Sequence, residues 1–198
     1  MYFSTPSIRA ALLLSFAAAA AGCASSAGSY GAASAAAPAS LATSLPTSVP
    51  NLPAALQPPA GQTLSHVVLA RGTQIYSCGP GKDAPDRFAW TFRAPLAELT
   101  DRAGRPLGSH GAGPFWAAPD GSRIVGEVRA RDPGPDATAI PWLLLSTRST
   151  GGAGSFADVK SVQRVDTRGG LAPTQPCTRE AASQEVGVPY TATYYFYR

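Results

Sequence analysis

The stretch Gly108 to Gly126, GSHGAGPFWAAPDGSRIVG, is the densest turn-bearing segment of the chain. It holds five glycines, two prolines, Phe115, Trp116, His110 and the pair Asp120-Gly121. Asp-Gly between apolar runs is a hairpin signal, because glycine accepts the positive φ that a tight reversal needs. Phe115 and Trp116 are adjacent, so in a strand their rings point to opposite faces. The stretch therefore reads as two strands, Pro114–Ala118 and Arg123–Arg131, folded on Asp120-Gly121.

The same pattern continues in both directions, from His66 to the end of the chain. On the N-terminal side, Val67–Ala70, Thr73–Cys78, Arg87–Arg93, Leu96–Thr100 and Leu107–His110 read as strands, with turns at Arg71-Gly72 and Asp101–Gly104. Arg87–Arg93 (RFAWTFR) puts Phe88, Trp90 and Phe92 on one face, the pattern of a half-buried strand. On the C-terminal side, Trp142–Thr147 is continuously apolar and reads as central, followed by Val159–Thr167 and Tyr190–Tyr197. A helical turn or two is expected near Arg179–Gln184. Short strands punctuated by Gly, Pro and Asp give an all-β class: an antiparallel β-sandwich or barrel of about 8–10 short strands.

The chain ahead of this domain is different. Residues 1–23 read as a signal peptide: Arg9, then an apolar run from Ala10 to Ala21, then Gly22 and Cys23. Cys23 after small residues fits the lipobox of bacterial lipoproteins, although Ala20 stands where leucine is usual. The two readings are a lipoprotein acylated at Cys23, anchored to the membrane without spanning it, and a plainly secreted protein. Residues 24–60 are rich in Ala, Ser and Pro and carry no charge, which predicts a disordered tether. The expected organisation is signal peptide 1–23, tether 24–60 and a single β domain 61–198.

With Cys23 set aside, Cys78 and Cys177 remain. In an oxidising compartment they can form a disulfide; in a reducing one they would stay as two buried thiols. The charges argue against nucleic acid as a partner. Of the 16 basic residues only Arg9 precedes Arg71, and the other 15 are scattered among 12 acidic ones rather than clustered.

Several segments resemble a known family. ARGTQIYSC (70–78), AGRPLGSHGAGPFWAAPDGSRIVGEV (103–128), IPWLLL (140–145), SVQRVDTRGGLAP (161–173) and VPYTATYYFY (188–197) are similar to the domain-of-unknown-function 3455 family. Its members are secreted or lipid-anchored proteins of bacteria and fungi. The resemblance runs from about Leu64 to Arg198. It implies an exported β-rich domain with no assigned biochemistry. Fungal members are sometimes labelled malate dehydrogenase, and the residues speak against that label here. A nicotinamide cofactor needs a glycine-rich turn opening a helix. The nearest match, Gly79-Pro80-Gly81-Lys82-Asp83-Ala84, has a proline inside it and Pro85 directly behind it, which blocks the helix.

Other chemistries fare little better. No G-x-S-x-G nucleophile elbow occurs. Two histidines 44 positions apart (His66 and His110) offer no ligand cluster, so neither a metal nor a cofactor is expected. The candidate pocket is His110, Trp116, Asp120 and Glu127. His110 sits among glycines at a reversal, Trp116 could stack on a ligand, and the two carboxylates could act with His110. Against this, Asp120 suits a turn-closing role and Glu127 lies on the strand face opposite Ile124. The expected function is a non-enzymatic binding domain of the cell envelope, exported and lipid-anchored or secreted. Its ligand could be an envelope component, a polysaccharide, a small molecule or a protein. The alternative is an extracytoplasmic hydrolase using His110 with a nearby carboxylate.

Overall fold

The computed structural model describes residues 52–82 and 84–198. The signal peptide, Cys23 and the tether as far as residue 51 lie outside the described residues. Eight strands follow one another: β1 Leu64–Gly81, β2 Ala84–Thr100, β3 Pro106–Gly111, β4 Phe115–Ala117, β5 Arg123–Asp132, β6 Trp142–Ser149, β7 Ser161–Gly169 and β8 Glu185–Tyr197. Each pairs antiparallel with the next, and β8 closes on β1. The fold is an up-and-down closed barrel, with β2 bonded to β3 only over Ala97–Thr100.

Expected strands merge in two places, and β8 starts at Glu185, ahead of the expected Tyr190. The expected turn at Arg71-Gly72 is absent, and β1 runs straight through it. Gly72 is there for a different reason. A Cβ at this position would lie 2.0 Å from the Leu96 carbonyl oxygen, so only glycine lets the two strands approach. Likewise Arg87–Arg93 and Leu96–Thr100 belong to one strand, β2. Asp120-Gly121 does reverse the chain as expected: Gly121 has φ +87° and its N–H donates to the Ala118 carbonyl. Arg179–Gln184 forms consecutive turns rather than a helix, with Ala181 N–H donating to Thr178 and Ala182 N–H to Arg179.

Strand alternation sorts the side chains into two cores. Val68, Ala70, Leu99, Ile124, Leu145, Val162, Tyr194 and Phe196 belong to the cluster that fills the barrel. Val67, Trp142, Leu144, Val165, Tyr195 and Tyr197 point the other way into a second cluster. That outer face is covered by residues 52–57, which include a 3-10 turn at Ala54–Leu56. Leu56 is fully buried there, which is worth about 1.5–3 kcal/mol. Gln163 Nε2 donates to the Leu56 carbonyl at 2.7 Å, and the Tyr197 hydroxyl donates to Gln163 Oε1 at 2.8 Å. The packed part thus starts ahead of residue 61, the boundary expected from sequence. Leu52 and Leu56, spaced four apart in a Pro- and Ala-rich segment, supply the apolar face.

The β1–β2 hairpin extends past the barrel. Its inner face carries Tyr76 paired with Phe92, Cys78 with Trp90 and Pro80 with Phe88. Trp90 is therefore not a core residue, as its place in RFAWTFR suggests; it is half-buried and donates to the Gln175 carbonyl. The segment 171–184 lies against this extension. It is pinned by the Cys78–Cys177 disulfide and by the backbone bonds Cys78 N–H to Gln184 and Ser183 N–H to Cys78. The bridge closes a separation of 99 residues, for which chain entropy gives about 4–5 kcal/mol at most.

Candidate functional site

A cavity of about 410 Å³ opens at the end of the barrel where β1 leads into β2. Its size lies toward the small end of ligand sites, roughly 300–1,000 Å³. Strands from all around the barrel reach it: Gln74 and Tyr76 of β1, Phe92 of β2, His110 of β3, Trp116 of β4 and Tyr194 of β8. The far wall is aliphatic, from Val128, Ile140, Leu143 and Leu145.

His110 and Trp116 face each other across the β3–β4 pair. The inward side of that pair is buried, so their rings stack, with centroids 4.6 Å apart and planes 19° apart. Tyr194 meets both edge-on, at 5.3 and 5.5 Å. His110 Nδ1 donates to the Phe115 carbonyl at 2.6 Å. A carbonyl only accepts, so the proton is on Nδ1, and in the neutral ring Nε2 is an acceptor. Burial pulls the imidazole down to about 4, and the positive charge of Arg164 pushes the same way; the bond to Phe115 opposes them. His110 is therefore neutral at physiological pH.

The polar groups around this pair are short of partners. Gln74 Nε2, Trp116 Nε1 and the hydroxyls of Tyr190 and Tyr194 are buried with no hydrogen-bond partner. The two hydroxyls, the Gln74 amide and the Arg164 guanidinium neighbour one another, yet neither hydroxyl makes a bond of good geometry. Burial raises both phenols, so they remain protonated. A buried polar atom left without a partner costs about 1–3 kcal/mol. Four in one region of the barrel form a pattern, not an accident of packing.

The four residues proposed from sequence separate into two groups. His110 and Trp116 come together in the cavity. Asp120 lies in the β4–β5 turn at the opposite end of the barrel. Its carboxylate accepts from the N–H and hydroxyl of both Ser122 and Ser155, which holds it well below the usual carboxylate range. Glu127 points outward from β5, exposed, and pairs with Arg129 at 3.2 Å. Among the described residues, no Asp or Glu lines the cavity. The arrangement that a His–carboxylate hydrolase needs is thus not formed, since His110 is oriented by a backbone carbonyl instead. His66 packs edge-on against Phe156 and Phe196 away from the cavity. Among the described residues, no three His, Cys, Asp or Glu side chains gather to hold a metal.

Sequence reasoning missed Gln74, Tyr76 and Arg164. The signal for the first two is phase. Val68 and Ala70 face inward, and along an unbroken strand the same face carries Gly72, Gln74 and Tyr76. A turn placed at Arg71-Gly72 discards that phase. Arg164 is in phase with inward Val162, but Val165 is also buried, on the outer face, so the apolar residues of β7 give no single parity.

A family model described as "Protein of unknown function (DUF3455)" matches residues 59–198, and the chain belongs to this family. No curated protein and no solved structure matches it.

Proposed function

For this member of a family without an assigned biochemistry, we propose an exported, lipid-anchored binding domain that holds a small molecule in the barrel. The observation that carries the reading is the cavity with its unpartnered donors. Trp116, Gln74 and Tyr194 line it beside aliphatic side chains and arginines, and their Nε1, Nε2 and hydroxyl are buried without a hydrogen-bond partner. Ligand sites have this composition: apolar walls and a few placed polar groups. Export and the anchor rest on the sequence of residues 1–23, with Cys23 as the acylated residue. The Cys78–Cys177 disulfide supports an oxidising compartment. Residues 24–51 then act as a spacer between membrane and barrel.

The cavity reading is tested with a neutral fluorescent probe, N-phenyl-1-naphthylamine. The wild-type barrel should bind it at one saturable site with micromolar affinity. Val128→Phe, which places a ring in the cavity, should abolish binding with little change in melting temperature. Absence of saturable binding, or binding that Val128→Phe leaves intact, would overturn it. The anchor is tested by cell fractionation: Cys23→Ala should move the protein from the membrane to the soluble fraction, and persistence in the membrane would contradict it.

A further inference from the structure

We infer that the molecule held in the barrel is a small apolar carboxylic acid, its carboxylate seated against Arg164. This rests on the cavity being the binding site. Arg164 is an inward-facing residue of β7 and lines the cavity, between Gln163 and Val165 on the outer face. Its Nε and Nη2 both donate to one acceptor, the Pro141 carbonyl, at 3.2 and 2.8 Å. It belongs to neither of the ion pairs found among the described residues, Arg105–Asp101 and Arg129–Glu127. A guanidinium has five N–H donors, so much of its capacity is unused. A charge inside a protein is normally paired, because desolvation without a counter-ion is costly.

The rest of the wall has the same sign. Arg93 and Arg131 line the cavity too, with no carboxylate among its described residues. The aim of Arg131 is a consequence of a β-bulge. Ile124 and Val128 of β5 face the barrel core, which in strict alternation would send Ala130 inward as well. The register instead slips between Val128 and Ala130, so Ala130 packs in the outer cluster and Arg131 turns to the cavity. Arg93 is likewise the extra residue at the slip between Ile75–Ala94 and Tyr76–Phe92. Bulges that re-aim a side chain toward a site are a recurrent device.

The neutral polar groups agree. Trp116 Nε1 and Gln74 Nε2 are donors, and the tyrosine hydroxyls can donate. With three arginines and no Asp or Glu among the described lining residues, the occupant carries acceptors. A planar guanidinium fits a planar carboxylate. One interior arginine suits a monoanion better than a dianion, and the aliphatic wall takes the apolar body.

The test is calorimetric titration of the barrel with three molecules on one skeleton: 2-naphthoic acid, 2-naphthalenemethanol and 2-naphthylmethylamine. The acid should bind about tenfold or more tightly than the alcohol, and the amine not measurably. Arg164→Gln should erase the difference by weakening the acid alone. Should that variant not fold, the wild-type ratio still decides, and exposed Arg131→Gln should weaken the acid about two- to threefold. Equal binding of acid and alcohol would overturn the inference while leaving the cavity as a site. Failure of all three where N-phenyl-1-naphthylamine binds would also overturn it. Failure of that probe as well would remove both readings.

Discussion

At the end of the barrel where β4 turns into β5, no buried side-chain polar atom among the described residues is left without a partner. Asp120 accepts four hydrogen bonds from Ser122 and Ser155, and buried Ser122 accepts in turn from the Phe156 N–H at 3.0 Å. Phe156 and Phe196 pack edge-on beneath this network at 4.9 Å. At the opposite end, Gln74, Trp116, Tyr190 and Tyr194 hold buried polar atoms with no partner, around a cavity that three arginines line. One chain under one set of physical rules builds both ends. A satisfied network closes a core and adds stability; an unsatisfied one costs stability and is retained where something else completes it. The contrast separates Asp120, a structural residue, from His110 and Trp116, which line the site.

The largest effect expected from this contrast is at the closed end. Phe156→Ala should destabilise the barrel by about 3–5 kcal/mol in urea unfolding, because Phe156 is buried among rings and leaves a void. Probe binding at the far end should survive under conditions where the variant is folded. Loss of binding in a folded variant would show that the two ends are not separate.

The next effect concerns pH. His110 ionises near 4 in the folded barrel, against 6.5 for an ordinary histidine. Between those values the unfolded chain takes up a proton that the folded barrel refuses. Stability from this group is therefore full above about pH 6.5 and falls as the pH drops toward 4, by about 3 kcal/mol at most. His66 is also lowered by burial and adds a slope of the same sign. Asp101, Asp120 and Asp136 are held below their usual range and lose their contributions only under about pH 4. His110→Gln should thus flatten the stability profile between pH 6.5 and 4. An unchanged slope would mean that the imidazole is not shielded as the stack with Trp116 implies.

Much of the barrel was legible in the sequence, and the reasons differ along the chain. β3 to β8 could be read because Gly, Pro and Asp mark most of their ends, as at Asp120-Gly121. β1 and β2 were divided too often. Glycine at position 72 signals a turn and a close approach equally well, and only the partner strand shows which. Trp90 looked like core because alternation reports a shared face, not whether that face lies inside the barrel or beyond its rim. Half of the candidate site followed from local density of turns and aromatics, namely His110 and Trp116. The other half depends on bulges and on which face of β7 is inside. A bulge is a property of the pairing of two strands, so Arg93 and Arg131 leave no mark in a single one.

The smallest expected effect is also the most direct test of the contrast between the two ends. Ser122→Ala and Tyr194→Phe each remove one hydroxyl from a buried residue, one satisfied and one not. In urea unfolding of the ligand-free barrel, Ser122→Ala should cost about 1–3 kcal/mol, because it strands the Phe156 N–H. Tyr194→Phe should leave stability within about 0.5 kcal/mol of wild type or raise it, because its hydroxyl has no bond to lose. A loss on Tyr194→Phe as large as that on Ser122→Ala would contradict the account, since the open end would then already be complete without a ligand.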